Sequence, residues 1–265
     1  MIVPINSSLA DFDPSVLSDE IALDEALDAL DPLRHLRGDT SLGDDDHSQS
    51  IVPVQPRSIQ DELIRLSFPD CGSSTAIHIV LRVDAGPGCG GIAWPAGEVL
   101  ANYLALRRER YCTGRTILEL GSGTGLVGLV AGQLGGKVWI TDQAPLLDIM
   151  HANVKLNQLD SSVTVSELSW GEALPHEIPR PDLILAADCV YFEPTFPLLV
   201  KTISELATEQ TEILFCYKKR RKADKHFFTL LKKEFNWKEI EDDPSRERYS
   251  REAISLLMVY RKPRK

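Results

Sequence analysis

From about Ile51 onward the chain alternates short apolar runs with longer amphipathic ones. AIHIVLRV (Ala76 to Val83) is β-branched and partly alternating, which predicts a strand, and the glycine-rich DAGPGCGG behind it predicts a break. Beyond the break, strands are predicted at TILEL, KVWIT, VTVSEL, DLILAA and EILFCY. Helices are predicted from Thr124 and through LLDIMHANVKLN, PLLVKTISELA and ADKHFFTLLKKEF. Apolar strands alternating with helical patterns predict an α/β fold, a mostly parallel sheet covered on both faces. The last two runs, Trp237 to Ile240 and Ala253 to Tyr260, show no helical pattern between them. They are expected to pair antiparallel as a hairpin at one edge.

The first fifty residues follow a different pattern. In SDEIALDEALDAL (Ser18 to Leu30), Ile21, Leu27 and Leu30 fall near helical spacing behind a possible Ser18 N-cap. Pro32 and GDTSLGDDDHSQS then end any helix. Charge separates the two parts. Residues 1–50 hold 12 Asp/Glu against Arg34 and Arg37, whereas the other 215 residues hold 27 acids and 27 bases, so the net charge of -10 belongs to the arm. The expected organisation is an acidic arm at 1–50 and a domain at 51–265, with 51–90 as a strand or hairpin extension of a core at 91–265. A neutral body gives no support for broad nucleic-acid binding. No apolar run is long enough to span a membrane, and MIVPINSSLADFD has no basic segment ahead of an apolar one, as a secretory signal would. The five scattered cysteines and six histidines make neither a disulfide framework nor a metal cluster. A cytoplasmic protein is expected, with the nucleus as the alternative, and a monomer.

The strongest chemical signal is TILELGSGTGLVG. Gly121, Gly123 and Gly125 let the backbone turn tightly at a strand end, and the following helix presents its N-terminus to a ligand. A dinucleotide fingerprint would need glycine at position 126, which is Leu126, and no Lys-Ser/Thr pair follows as a P-loop requires. What remains is GxGxG, with Glu119 two residues ahead of it. A carboxylate there is expected to repel a pyrophosphate and to suit an ammonium or sulfonium ligand. Asp142, 21 residues after Gly121 at the tip of the second strand, is placed to accept two ribose hydroxyls. Together these predict S-adenosyl-L-methionine as cofactor.

At this point the chain resembles the class I, seven-β-strand methyltransferases, and among them the protein-lysine methyltransferases that modify chaperones and translation elongation factors. The resemblance rests on GIAWPAGEVLANYL, LELGSGTGLVG, ITDQAPLLDIMHANVKLN, LSWG and DLILAADCVYFEPTF, in that order between Gly91 and Tyr260. It implies a Rossmann-like seven-stranded, mostly parallel sheet with an antiparallel C-terminal hairpin and helices on both faces. It implies that Trp94 lies beside the cofactor, that Gly121, Ser122 and Gly123 cradle its methionine part, and that Asp142 holds the ribose. Trp170 would lie next to the adenine and Ala187 would give a backbone contact. Asp188-Cys189-Val190-Tyr191 fits the family's Asp/Glu-x-x-Tyr/Phe signature, which shapes the lysine pocket. The basic run KKRRKADK (Lys218 to Lys225) looks like fungal members that act on elongation factor 1-alpha, which makes that protein the expected substrate.

The lysine amine must be neutral to react, yet its ordinary pKa is about 10.4. Desolvation by Tyr191 would lower that value and Asp188 would raise it. The expected compromise has Asp188 capture and orient the charged lysine, with the proton leaving to Asp188 or to water. The segment Lys218 to Lys222 is expected to grip an acidic patch of the partner. Asn153 and Asn157 are expected to cap or brace the end of the second helix. Two other readings stay open here: a nucleic-acid or small-molecule methyltransferase on the same fold, and a non-catalytic cofactor-binding protein.

Overall fold

The computed structural model describes residues 62–68, 76–84, 89–220 and 224–263. The acidic arm at 1–50, with its helix expected at Ser18 to Leu30, lies outside the described residues, as do Arg221 and Lys222 of the basic run.

Strands β1 (Glu62–Phe68) and β2 (Ile77–Val83) form an antiparallel hairpin, so the strand expected at Ala76 to Val83 has a partner. The main sheet contains β3 (Thr116–Leu120), β4 (Lys137–Asp142), β5 (Val163–Glu167), β6 (Leu183–Ala187), β7 (Glu212–Lys218), β8 (Phe235–Glu239) and β9 (Ile254–Arg261). Their spatial order is β5-β4-β3-β6-β7-β9-β8. The five strands β3 to β7 run parallel, and β9 is antiparallel to both of its neighbours.

The helices are α1 (Pro95–Leu106), α2 (Leu126–Gln133), α3 (Leu147–Leu156), α4 (Phe196–Leu206), α5 (Asp224–Leu231) and α6 (Arg246–Arg251). One face of the sheet is covered by α1, α2, α3 and the hairpin, through residues such as Leu104, Leu129, Met150 and Leu81. The other face is covered by α4 and α5, through Phe196, Leu199, Ile203, Phe227 and Leu231. Strand alternation divides β3 between the two layers: Ile117 joins the first, Leu118 and Leu120 the second.

One element differs from expectation. The C-terminal strands are antiparallel neighbours, but not a simple hairpin at the edge: β9 inserts between β7 and β8, and α6 lies in the connection. Only Tyr249 of RERYSR is buried, so this helix carries no apolar stripe to announce it. ISLLMVYR buries Ile254, Leu256, Leu257 and Val259, whereas FNWKE is exposed at Lys238 and Glu239. The apolar strand therefore takes the interior and the polar one the rim, where charged side chains discourage pairing with other chains.

The topology creates a crevice. From β3 the chain steps outward to β4 and β5, then returns to β6 and steps the other way to β7. Ligands of such sheets sit past the carboxyl ends of the strands where the direction reverses, here β3 and β6.

The hairpin is tied to the α3 side by two asparagines one helical turn apart. Asn157 accepts from the Val80 N–H (2.9 Å) and donates to its carbonyl (2.7 Å). Asn153 accepts from the Arg82 N–H (2.7 Å) and donates to the carbonyls of Arg82 (3.1 Å) and Thr124 (2.9 Å). The two side-chain amides thus satisfy the edge of β2 as a neighbouring strand would. At the helix end, where a cap or brace is expected, Asn157 donates to the Asn153 carbonyl (2.8 Å), while the bonds to β2 and to the glycine loop go beyond that expectation.

Candidate functional site

The loop between β3 and α2 is shaped by glycines in the left-handed region. Gly121, Gly123 and Gly125 have φ of +61°, +56° and +82°, which a side chain would strain. Space is equally limiting. A Cβ on Gly121 would come within 2.9 Å of the Trp170 ring and 3.0 Å of Cys189 Sγ, and one on Gly123 within 2.5 Å of the Gly90 carbonyl oxygen. Ser122 fixes the loop to the next strand: its N–H donates to the Thr141 carbonyl and its Oγ accepts from the Thr141 N–H, both at 2.9 Å. Thr141 Oγ1 in turn donates to the Glu119 carbonyl (2.6 Å). The backbone is therefore held in place by the protein itself, a preorganised cradle.

Asp142 ends β4 beside this loop. Its Oδ2 accepts from the Gly123 N–H and its Oδ1 from the Gln143 N–H, each at 2.8 Å. Burial pushes its pKa up from the ordinary carboxylate value, while those two N–H groups pull it down. Each oxygen keeps acceptor capacity after these bonds, and the side chain is only half-buried. A ligand with a vicinal diol fits this carboxylate. Trp170, also half-buried, lies against Gly121 and supplies a flat apolar wall for a ring.

Glu119 has a different place from the one its position in the motif suggests. It shares the Ile117 side of β3, so its side chain enters the layer under α2, where Oε2 accepts from the Gly128 N–H (2.9 Å). It is 2% exposed, and burial pushes its pKa up to about 8. A ligand-facing carboxylate is thus replaced by a buried carboxyl that locks helix to strand. Gly128 makes room for it: a Cβ there would stand 2.8 Å from Glu119 Oε2.

Across the crevice, Ala187 ends β6 half-buried and Asp188 follows with φ +54°. Left-handed backbone is tolerated by Asp better than by most residues, and here long-range bonds hold it. The Asp188 N–H donates to the Cys216 carbonyl (2.8 Å). Its Oδ1 accepts from the Lys218 N–H (3.0 Å) and from Arg220 Nη1 (2.9 Å), and its Oδ2 accepts from the Ala96 N–H (3.2 Å). An anion at Ala96 also suits the positive N-terminal end of α1. The side chains of Arg220 and Asp188 are only 6% and 4% exposed. The Asp188 carboxylate, expected to capture an incoming ammonium, is thus already engaged by α1, β7 and a guanidinium.

Arg220 lies 5.0 Å from the centroid of the Trp94 ring, a cation–π contact. Trp94, half-buried, is the N-cap of α1, so the expected site residues Trp94 and Asp188 belong to one cluster. Cys189 continues toward the glycine loop, its Sγ 3.2 Å from the Leu120 carbonyl oxygen. Tyr191 and Phe192 then emerge at the surface, 43% and 40% exposed. Tyr191 thus stands at the mouth of the crevice rather than deep in it. The basic run divides: Lys219 is exposed, while Arg220 turns inward. Sequence reading assigned Arg220 to the partner-facing surface, and five consecutive basic residues give no periodicity that would single it out. Among the described residues no group of three His, Cys, Asp or Glu could hold a metal ion, and no helix is long and apolar enough to cross a membrane.

Comparison with known proteins gives a consistent family. The model of lysine methyltransferases matches residues 74–234. The chain is 41% identical over 202 residues to the protein-lysine N-methyltransferase EFM6 of Saccharomyces cerevisiae, covering 66% of this chain and 82% of the yeast protein. It is 39% identical to the protein N-lysine methyltransferase METTL21A of Danio rerio, covering 63% and 78%. It is 35% identical to the protein-lysine methyltransferase METTL21E of Mus musculus, covering 76% and 86%. Among solved structures, a Thermus thermophilus 16S rRNA methyltransferase in complex with AdoMet and guanosine superposes with a TM-score of 0.50 at 18% identity. That alignment covers 76% of this chain and 51% of the other, and it shows a shared fold.

Proposed function

The chain belongs to the lysine methyltransferase family, and from that premise we propose that it transfers methyl groups from S-adenosyl-L-methionine to a lysine of a translation elongation factor, with elongation factor 1-alpha as the first candidate. The observation that carries the reading is the juxtaposition of two half-sites. A glycine cradle with a strand-tip acid stands on one side, and the Asp188 to Tyr191 loop stands on the other, tied to the cradle through Cys189. The elongation-factor assignment is supported by the basic run at Lys218 to Lys225, which resembles that of fungal members acting on elongation factor 1-alpha and keeps Lys219 exposed. With such a substrate we propose a cytoplasmic enzyme, the nucleus being the alternative, and a monomer.

S-adenosylmethionine supplies a sulfonium-bound methyl group open to in-line displacement by a neutral amine. The protein's task is to align and to exclude water. Asp142 receives the ribose hydroxyls on the acceptor capacity its backbone bonds leave free. Trp170 would cover the adenine ring, the Gly121 to Gly123 backbone would hold the methionine part, and Trp94 would close the side toward α1. Tyr191, exposed at the mouth, would meet the lysine stem there and shield it from water once substrate is bound. Asp188 positions this loop through its bonds to α1 and β7.

The test is incubation of the purified protein with tritiated S-adenosylmethionine and cytosolic extract, followed by mass spectrometry of the labelled band. Label on a lysine of an elongation factor is expected. Label in RNA, or in no macromolecule, overturns the reading; label on a lysine of another protein overturns the substrate alone.

A further inference from the structure

The Asp188–Arg220 pair raises a question that burial and stability do not answer. Buried ion pairs are poor stabilisers, since desolvation offsets their attraction and an apolar pair of similar volume often does as well. This pair has a further defect: among the described residues, Arg220 Nε is buried with no hydrogen-bond partner. It stands at the carboxyl end of β6, on the wall of the crevice, with its guanidinium over Trp94. A costly, imperfect pair at that place points to a role in the chemistry.

Resting on the methyltransferase reading above, we infer that Arg220 is a positioning residue that holds the Asp188 carboxylate out of reach of the substrate amine and cancels its charge, so that the lysine slot does not trap its substrate as an ammonium. With the anion neutralised, desolvation beside Tyr191 is free to favour the neutral, nucleophilic amine. Without Arg220, the freed carboxylate would stabilise the ammonium and the amine would be deprotonated only at higher pH.

Other titratable groups surround the pair. Cys189 and Cys216 feel the Asp188 charge, and burial raises both thiols well above their ordinary range. Asp224 of α5 accepts the Arg220 N–H (3.0 Å), and Lys218 contributes its backbone. Glu98, in the first turn of α1, is pushed up to about 7 by burial and is coupled to Arg248 and Glu252. Tyr191 lies on the same loop as Asp188.

The experiment measures single-turnover methylation of the band labelled by the wild-type enzyme as a function of pH, with melting temperatures in parallel. Arg220→Met is expected to move the acid limb of the profile upward by about one pH unit or more. Arg220→Lys keeps the charge and is expected to leave the limb in place. Asp188→Asn removes the anion while Arg220 stays a cation, so its limb moves downward. The double variant Arg220→Met/Asp188→Asn returns toward the wild-type position. A structural role alone would lower the rate at every pH without moving the limb, and that outcome overturns the inference. If Arg220→Met does not fold, Arg220→Gln, which removes the charge but can still donate to Asp188, is expected to move the limb upward likewise, and an unmoved limb overturns the inference. A wild-type enzyme that labels nothing fails the functional reading first, and the inference with it.

Discussion

The tips of β4 and β6 each place an aspartate at the same crevice, and the two residues behave in opposite ways. Asp142 is half-buried, and among the described residues its carboxylate accepts from the N–H groups of Gly123 and Gln143, so acceptor capacity is left toward the opening. Asp188 is buried, adopts left-handed backbone and is engaged by α1, the end of β7 and a guanidinium. Two carboxylates at equivalent ends of parallel strands are thus divided into one whose oxygens stay open to the crevice and one that holds walls in place. Residue type and topological position nominate a functional acid; what else reaches its oxygens decides the job.

That contrast is sharpest where one acid is removed at a time. Asp188→Ala leaves Arg220 as a buried, unpaired cation and is expected to destabilise the fold by about 3–5 kcal/mol, read by denaturant unfolding. A loss below the range of an exposed pair would mean that Asp188 is no brace. Asp142→Ala is expected to weaken S-adenosylmethionine binding tenfold or more, about 1.5–3 kcal/mol by calorimetry, with a smaller loss of stability. Unchanged affinity would remove Asp142 from the ribose site. Next come the asparagines. Asn153→Ala and Asn157→Ala each strip the edge of β2 of a partner, at about 1–3 kcal/mol. Only Asn153→Ala also frees the Thr124 carbonyl beside the glycine loop, so only it should reduce cofactor affinity. Equal effects on binding would deny that link.

A different effect, read against pH, concerns Glu119. Its pKa is about 8 in the folded protein against an ordinary 4.5, so the folded state keeps a proton that the unfolded state releases. This contribution to stability is full below about pH 4.5 and is lost as pH rises toward 8. Glu98, raised to about 7 by burial, acts in the same direction. The melting temperature should therefore fall across this window, and Glu119→Gln should flatten the decline while keeping an acceptor for Gly128. An equally steep decline in the variant would assign the pH dependence to other groups.

The sequence by itself determined the alternation of strands and helices, the glycine cradle and Asp142, because each depends on neighbours in the chain. Apolar runs reveal strands, glycine permits the left-handed turn, and Asp142 bonds to the loop and to its own neighbour. It could not place the short polar helix before β9, nor the inward turn of Glu119, which follows from strand alternation only once α2 is known to cover that side of β3. It assigned Asp188 to the lysine and Arg220 to the partner, and the tertiary structure joined them instead. The partners in question are 92 residues apart for Ala96 and Asp188, 71 for Arg82 and Asn153, and 32 for Asp188 and Arg220. Whether a buried charge serves as ligand, counterion or brace depends on which groups the fold brings within about 3 Å of it, and no local pattern encodes that distance.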